Sequence, residues 1–376
     1  MKVLMLIRAD ADRIGGGDLQ QMRETAAALR HRGVEVETSC RLPASPAGFD
    51  LVHLFNTTRI NETWQHFLAA RRLGIPVVVS PIWHSMAEMR RHYAAQHGLP
   101  WFPIWHYGGL REAYYARRSG CRLDPRVVLR YRACQRRVAA GADLLLPNSR
   151  AEARILESEL GVQARRVEIV PNGFNVALAR AAEQARGTDP RRGIVCAGRL
   201  EPRKNPLGVI RAFQRLPPGA GTLRFYGALN PGHARHAAAF QAALVPGRVE
   251  YAGCVAPAEL YQAFARAQVV VLASFFETTG LVALEALACG ARVVVSDSPY
   301  SREYFRDLAF YSDPYDDASI ARALAQALAA PPVPVPDWID SFSWERVGQL
   351  THEAYQALLD PGRPGVRAAP PRPPST

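Results

Sequence analysis

The feature that most restricts the fold is a pair of short apolar runs separated by one helical stretch. Val269-Val270-Val271-Leu272 and Arg292-Val293-Val294-Val295 are nearly continuous in apolar residues, which is typical of parallel strands buried on both faces. Between them, leucines and alanines recur at helical spacing from about residue 279, and Gly290 is well suited to end that helix. The pattern predicts a βαβ unit, and therefore an α/β protein built on parallel sheet.

Two carboxylates lie around the start of this helix. Glu277 falls in the strand-to-helix loop, and Glu285 falls about one and a half turns into the helix. Ligands of open parallel sheets bind at the carboxyl ends of strands, and a helix N-terminus suits a phosphate. A carboxylate can accept two hydrogen bonds from a vicinal diol, so the set predicts a nucleotide-sugar site. The alternative is a loop charge and a solvated helix residue, but the apolar neighbours of Glu285 disfavour it.

A second loop carries the cations that such a ligand needs. A predicted strand at 193–197 is followed by Gly198-Arg199-Leu200-Glu201-Pro202-Arg203-Lys204. The glycine allows close backbone approach, and Arg199 and Lys204 can neutralise a diphosphate. Of the 46 lysines and arginines, only Lys2 and Lys204 are lysines, so position 204 is unusual for this chain. The alternative is that both cations are solvated loop charges.

Together these residues resemble the retaining glycosyltransferases of family 4, the glycosyl transferases group 1, which have the GT-B fold. The resemblance rests on Glu277 and Glu285 separated by seven residues, and on Gly198-Arg199 separated from Lys204 by four residues. It implies that Arg199 and Lys204 bind the donor phosphates, that Glu277 holds hydroxyls of the donor sugar, and that Glu285 holds the ribose.

The turn after Glu277 departs from the family pattern. Many members carry Gly-Phe there, whereas this chain has Thr278-Thr279, which we expect to lie beside the donor sugar. The N–H groups around Thr279, Gly280 and Leu281 are expected to face the diphosphate, so this whole turn is assigned to donor binding.

The amino-terminal half opens with a strand at 3–7 and the glycine-rich loop Gly15-Gly16-Gly17, after which Asp18 is expected to cap a helix. A dinucleotide fingerprint would need a third glycine where Gln20 stands, so a Rossmann dehydrogenase is a weak alternative. In the family that the chain resembles, this loop closes over the donor diphosphate and the acceptor. Gly16 and Gly17 are therefore donor-binding candidates, with a plain tight turn as the alternative.

His84 follows the predicted strand at 77–79, at a carboxyl end where functional residues concentrate. The resemblance places a histidine after this strand close to the transferred sugar, although a lone histidine can equally be structural. The candidate catalytic residues are therefore Arg199, Lys204, Glu277 and His84.

The alternation of strands and helices predicts doubly wound α/β structure, and the resemblance implies two Rossmann-like domains that face a cleft. By resemblance, Pro171-Asn172-Gly173 marks the crossing between domains, and the C-terminal helix returns to the first domain. The expected segments are an acceptor domain at 1–175, a linker at 177–190, a donor domain at 190–335, the returning helix at 343–360, and a disordered tail at 361–376 rich in Pro, Arg and Ala.

Composition narrows the class of protein. Hydrophobic residues make up 48% of the 376, as in a globular chain, and no run approaches the roughly 18–20 apolar residues of a membrane span. The N-terminus reads as a strand rather than a signal peptide. The six cysteines lack metal-type spacing, so we expect reduced thiols and a cytoplasmic location.

The formal net charge of +12 is concentrated in a basic insertion at about 86–137, which holds eleven arginines and three acids. Aromatic residues interleave with the arginines between Tyr93 and Arg118, and this mixture is typical of segments that enter lipid headgroups. The alternative is a packed helical insertion that shields the acceptor cleft, favoured by Pro100 and Pro103. Either way an anionic partner is expected, such as a membrane surface, and no nucleic-acid motif is present.

The sequence therefore predicts transfer of a sugar from a nucleotide sugar to a glycan or lipid-linked hydroxyl acceptor, with retention. By resemblance, the setting is bacterial surface polysaccharide or glycolipid assembly, at the inner face of the plasma membrane. No metal or other cofactor is expected, because the cations replace it. Asp10-Ala11-Asp12 spells the DxD of metal-dependent glycosyltransferases but lies in the wrong place for their fold. The alternatives are a sugar-nucleotide epimerase or hydrolase, and a non-catalytic binder of membranes or nucleic acid.

Overall fold

The computed structural model describes residues 1–332 and 334–360. They form two compact units, one of Met1–Gly173 together with the stretch that begins at Ser341, and one of Phe174–Asp340. The tail at 361–376, expected to be disordered, lies outside the described residues.

Unit 1 contains a five-stranded, wholly parallel sheet in the order β2-β1-β3-β4-β5. Its central strands are buried on both faces, as their apolar runs predict. The strand order reverses beside β1, so the carboxyl ends of β1 and β3 flank the position where doubly wound sheets bind ligands. The strands are β1 (Lys2–Leu6), β2 (Glu35–Ser39), β3 (Leu51–Phe55), β4 (Val77–Ser80) and β5 (Leu144–Leu145).

Helices cover this sheet, and four of them form the basic insertion between β4 and β5. The prolines at 100 and 103 separate two of these helices, as expected from their missing N–H groups. The helices are α1 (Ala11–Ile14), α2 (Gly17–Arg30), α3 (Ile60–Arg72), α4 (Met86–His97), α5 (Ile104–Ser119), α6 (Pro125–Leu129), α7 (Tyr131–Gly141) and α8 (Arg150–Leu160).

Unit 2 contains a six-stranded parallel sheet in the order β11-β10-β9-β6-β7-β8. The βαβ unit predicted at 269–295 is present, with Val270 paired to Val293 in parallel register. The strands are β6 (Ile194–Ala197), β7 (Leu223–Tyr226), β8 (Val249–Gly253), β9 (Val269–Leu272), β10 (Arg292–Ser296) and β11 (Ala309–Ser312).

The helices of unit 2 include one that the sequence analysis did not anticipate. The helices are α9 (Val176–Arg186), α10 (Pro206–Gln214), α11 (Ala234–Ala242), α12 (Pro257–Arg266), α13 (Leu281–Ala288), α14 (Pro299–Phe305) and α15 (Asp317–Ala329). The expectation of a linker at 177–190 is therefore wrong for most of that range. The Asn175 side chain caps α9 by accepting from the Leu178 N–H, and the helix packs its buried alanines against α12 and α13.

The last helix, α16 (Trp344–Leu359), packs against α2 of unit 1, which confirms the expected return of the C-terminal helix. Gly348 allows the close approach, because a Cβ there would lie 2.5 Å from the Cβ of Ala28. Farther along α16, the Tyr355 hydroxyl lies 2.6 Å from Nδ1 of His53 inside the core of unit 1. No helix within the described ranges is both long enough and apolar enough to cross a membrane.

Candidate active site

The loop after β6 in unit 2 places its cations against the loop after β9. Lys204 forms an ion pair with Glu277, and Arg203 Nη1 lies 3.3 Å from the other oxygen of the same carboxylate. The Ser274 hydroxyl adds a donor at 3.3 Å. The structure therefore brings together two of the sequence-predicted residues, Lys204 and Glu277, in one polar cluster.

Arg203 is a member of this cluster that the sequence analysis missed. Its Nε donates to Glu201 at 3.2 Å, its Nη1 donates to the carbonyl of Phe276 at 3.2 Å, and its guanidinium lies over the Phe276 ring. Arg203 thus holds the two loops together. Its place beside Lys204 is the one sequence signal that could have identified it.

Arg199 lies at the more open end of the same loop. It is partly exposed, and its Nη1 is 3.9 Å from Glu201, which in turn contacts Arg203. Arg199 is thus connected to the Lys204–Glu277 pair through Glu201 and Arg203. The two loops together present three cations against two acids, Glu201 and Glu277, an excess of positive charge that suits an anionic ligand.

Burial shifts the ionisation of the cations in this cluster. Desolvation, helped by the nearby charge of Arg203, lowers the pKa of Lys204 even though Glu277 opposes the change. For Arg203, the desolvation cost is outweighed by Glu277 and Glu201, and its pKa is raised. Lys204 is therefore the cation whose charge depends most on keeping an anion beside it.

The turn between Glu277 and α13 is tightly packed. Gly280 adopts φ +72°, and a Cβ there would lie 3.1 Å from a methyl group of Leu272, so a glycine suits the position. Thr278 and Thr279 are both buried. The Thr279 hydroxyl has no hydrogen-bond partner among the described residues, although only 5% of the residue is exposed. The turn leads directly into Leu281, the first residue of α13.

Glu285 occupies a different environment, one and a half turns along α13. It accepts a hydrogen bond of 3.0 Å from the hydroxyl of Tyr261 on α12. Burial raises the pKa of Glu285 to about 7, and the hydrogen bond from Tyr261 partly offsets that rise. The two acids that flank the turn therefore differ, since Glu277 lies among cations and Glu285 lies in a largely apolar setting.

In unit 1, Arg8 contacts and supports the glycine-rich loop. Its guanidinium donates to the carbonyl of Gly15 and pairs with Asp18 at 2.7 Å. Asp18 is therefore not the helix cap that we expected. Gly16 is the N-cap of α2 and Gly17 its first residue, because the Asp18 carboxylate is occupied by Arg8 and by the Asn56 amide. These contacts hold the Asp18 carboxylate ionised, with its pKa below the ordinary value despite burial.

Beside this loop lies a buried charge cluster that the sequence analysis also missed. Arg59, just after β3, approaches Asp10 at 3.4 Å, Glu112 at 3.7 Å and Glu62 at 3.9 Å, and it stacks on the ring of Tyr115. Burial raises the pKa of Glu112 to about 7. The signal that could have indicated this cluster is the position of Arg59 at a strand's carboxyl end.

His84 lies at the carboxyl end of β4, beyond a strained residue. Ile82 has φ +48°, an uncommon conformation for a β-branched residue and one that concentrates at functional sites. The next residue, Trp83, is fixed by its N–H to Glu152 at 2.7 Å and its indole to Glu159 at 2.8 Å. His84 itself is partly buried. The structure thus places His84 just after the carboxyl end of β4, as the sequence analysis expected.

The two acids of the DxD sequence, Asp10 and Asp12, form ion pairs with different arginines. Asp10 pairs with Arg8 and Arg59 in the interior, whereas Asp12 pairs with Arg23 at the surface. Across residues 1–332 and 334–360, no group of three or more His, Cys, Asp or Glu side chains is arranged to hold a metal ion.

Curated relatives and solved structures resemble this chain along most of its length. The D-inositol 3-phosphate glycosyltransferase of Pseudarthrobacter chlorophenolicus is 28% identical over 95% of each chain. That of Paenarthrobacter aurescens is 29% identical over 64% of this chain and 63% of its own, which is less than two thirds of the relative. Sucrose-phosphate synthase of Thermosynechococcus elongatus has a TM-score of 0.71 at 18% identity, covering 96% of this chain and 100% of that one.

A further solved structure is Alr3699/HepE of Anabaena in complex with UDP, with a TM-score of 0.64 at 18% identity over 95% of this chain and 100% of that one. The same protein has been solved with UDP-glucose. At these identities the likeness establishes the fold, which is GT-B. Residues 41–173 match the glycosyl transferase 4-like domain, and residues 180–335 match the glycosyl transferases group 1. With both halves of a GT-B protein matched, this chain belongs to the group 1 glycosyltransferases.

Proposed function

We propose that this glycosyltransferase moves a sugar from a nucleoside diphosphate sugar to a hydroxyl acceptor with retention of anomeric configuration. The observation that carries the proposal is the cluster of Arg203 and Lys204 around Glu277, with Arg199 on the same loop, beside the start of α13. Cations and a helix N-terminus suit the diphosphate, and the carboxylate suits the hydroxyls of the sugar.

Donor binding has to rearrange this cluster. Lys204 is paired with Glu277, so a donor diphosphate competes with this carboxylate for the ammonium group. A diphosphate offers Lys204 a stronger anion and releases the Glu277 carboxylate for sugar hydroxyls. Arg203 can retain its contacts with Glu201 and the Phe276 carbonyl throughout, which keeps the two loops in register.

The chemical step we propose is electrostatic. The bond between the anomeric carbon and the leaving phosphate oxygen breaks while the acceptor oxygen bonds to the same face of the sugar. The acceptor proton passes to the leaving phosphate oxygen, so no protein base and no metal are required. Arg199, Lys204 and the N–H groups of the turn at 279–281 stabilise the charge that grows on the diphosphate. By resemblance, we assign His84 to the transferred sugar and Glu285 to the ribose.

The test is the rate of UDP release from UDP-glucose in the presence of a panel of sugar and sugar-phosphate acceptors. Arg199→Ala and Lys204→Ala should each lower the rate by about 10²–10³. Arg211→Ala is the matched control, because Arg211 is an arginine of α10 paired with Asp317 at the surface. Unchanged rates in the first two variants would contradict the phosphate-binding role.

The nature of the donor and acceptor is inferred from the similar proteins. A uridine nucleotide is supported by the Anabaena protein, which was solved with UDP and with UDP-glucose. The names of the inositol 3-phosphate transferase and the sucrose-phosphate synthase contain phosphorylated compounds, which agrees with an anionic acceptor on arginine-rich unit 1. We propose a glycan or lipid-linked acceptor of this type, used in surface polysaccharide or glycolipid assembly.

We further propose that unit 1 contacts an anionic membrane surface on its cytoplasmic side. Gly109 of α5 lies directly against the Val128 backbone of α6. The next residue on each helix, Leu110 and Leu129, therefore lies beside this contact between the two helices. They are 65% and 82% exposed, and Tyr114, exposed one turn after Leu110, accepts a hydrogen bond from Arg118. Exposed apolar and aromatic groups beside arginines suit the headgroup region of anionic lipids.

Cosedimentation with phosphatidylglycerol vesicles tests this contact. Leu110→Glu/Leu129→Glu should abolish binding, whereas Leu73→Glu should not, because Leu73 is 55% exposed but lies at the end of α3. Added salt should weaken binding by the unchanged chain. Equal binding by all three proteins, or equal binding to neutral vesicles, would contradict the proposal.

A further inference from the structure

The hydrogen bond between Tyr261 and Glu285 is not used in the mechanism described above, which gives a role to Glu285 alone. Tyr261 lies in α12, which packs beside α13, and only 4% of the residue is exposed. Its hydroxyl donates to Oε1 of Glu285 at 3.0 Å. A buried phenol needs a partner for its hydroxyl, and here that partner is the carboxylate assigned to the ribose.

The other titratable groups near this pair lie on α9, just after α9, and at the end of α13. Cys289 is one turn beyond Glu285, and burial raises the pKa of its thiol, which leaves it neutral. Glu183 of α9 is paired with Arg191 at 2.7 Å and with Arg186 at 2.8 Å, so these charges are largely balanced. Among the described residues, Tyr261 is therefore the group that acts most directly on Glu285.

The ionisation of Glu285 depends on this contact. Burial raises the pKa of the carboxyl and the phenol hydrogen bond opposes this rise, so that the pKa with both effects present is about 7. The ionised carboxylate has about four acceptor sites, so it can keep the bond from Tyr261 and still accept two ribose hydroxyls. A protonated carboxyl has lost acceptor capacity and must place a proton of its own.

We propose that Tyr261 is a positioning residue that orients the Glu285 carboxylate and favours its ionised form, so that the carboxylate can accept the two hydroxyls of the donor ribose. The inference rests on the proposed function, since Glu285 is assigned to the ribose there. It adds that ribose recognition is shared between α12 and α13, although Tyr261 itself does not touch the nucleotide.

Calorimetric titration with UDP and with 2′-deoxy-UDP, from pH 6 to pH 8.5, tests the role of Tyr261. Tyr261→Phe should weaken UDP binding about tenfold while changing 2′-deoxy-UDP binding much less. The pH at which UDP affinity reaches half its maximum should rise in the variant, because Glu285 loses a donor that favours its ionised form. Glu285→Gln should lose most of the preference for UDP and the pH dependence with it.

Tyr251→Phe is the matched control, because the Tyr251 hydroxyl donates to the carbonyl of Gly227 at 2.9 Å. This variant should show the same affinity for both nucleotides, and the same pH dependence, as the unchanged chain. If Tyr261→Phe weakens both nucleotides equally and keeps the pH midpoint, Tyr261 has only a structural role and the inference is overturned. If the unchanged chain binds UDP but does not distinguish it from 2′-deoxy-UDP, the inference is likewise overturned while donor binding stands. Absence of UDP binding by the unchanged chain would overturn the proposed function and this inference together.

Discussion

At the scale of single residues, Glu277 and Glu285 illustrate how environment separates two chemically identical groups. Glu277 accepts from Lys204, Arg203 and Ser274, so its negative charge is matched locally. Glu285 has a phenol as its partner and a pKa raised to about 7 by burial. The first acid is suited to exchanging partners when a ligand arrives, and the second to accepting hydroxyl groups in a dry setting.

Thr279 yields a prediction in which stability and binding change in opposite directions. Its buried hydroxyl has no partner within the described residues, and an unpaired buried hydroxyl costs free energy. If the donor supplies that partner, Thr279→Val should raise the free energy of unfolding by about 1 kcal/mol and weaken UDP-glucose binding by about tenfold. Thermal melting and calorimetric titration measure the two effects.

Thr63→Val is the control for this experiment, because the Thr63 hydroxyl already donates to the carbonyl of Asn56 at 2.8 Å. That substitution should destabilise the fold by about 1 kcal/mol and leave donor affinity unchanged. A Thr279→Val protein that is more stable and binds UDP-glucose normally would show that the hydroxyl has no ligand.

Single-residue roles are also where sequence reasoning fell short. Lys204 and Glu277 could be named because their spacing resembles a family motif, and the structure brings them into contact. Arg203 could not, because its importance depends on Glu201 nearby and on Glu277 far along the chain. The Arg59 cluster was missed for the same physical reason, since long-range charge pairing leaves no periodic trace in a sequence.

At the scale of elements, α13 combines an apolar helix with a partly buried ionisable group, Glu285, and this has a consequence for stability. In the folded chain Glu285 keeps its proton until about pH 7, whereas a glutamate in the unfolded chain releases it near its ordinary value of about 4.3. Between those values the folded state holds more protons, so the free energy of unfolding falls as the pH rises. Glu112 on α5 contributes a change of the same sign.

Melting temperatures measured from pH 5 to pH 8 test this linkage. Glu285→Gln should reduce the fall in the free energy of unfolding between pH 5 and pH 8 by about 1–3 kcal/mol. Glu259→Gln, an exposed position on α12, should leave the profile unchanged. A Glu285→Gln profile parallel to that of the unchanged chain would contradict the raised pKa.

Elements with strong periodicity were predictable, whereas those defined by packing were not. The apolar runs of β9 and β10 identify buried parallel strands, and the helix between them follows from its spacing. The residues of α9 have good helical propensity but a weak apolar pattern, because they face α12 and α13 with alanines rather than large side chains. A stripe of small residues is hard to distinguish from a linker in a sequence.

At the scale of the whole molecule, the two units differ in how their charged residues are distributed. Unit 1 carries the arginine-rich insertion and a buried network around Arg8 and Arg59, whereas unit 2 concentrates cations on one loop beside Glu277. The α/β architecture could be predicted because alternating buried strands and helices leave few alternatives, whereas the return of helix α16 was expected from the family resemblance. Which groups pair with each charged side chain could be identified only from the structure.

The central claim is that the loop carrying Arg199 and Lys204 binds a diphosphate, and calorimetric titration with UDP and UMP tests it most directly. The unchanged chain should bind UDP much more tightly than UMP, because the second phosphate meets these cations. Lys204→Ala should reduce that preference by at least about tenfold, whereas Arg211→Ala should keep it. An equal preference for UDP over UMP in the unchanged chain and in Lys204→Ala would contradict the account.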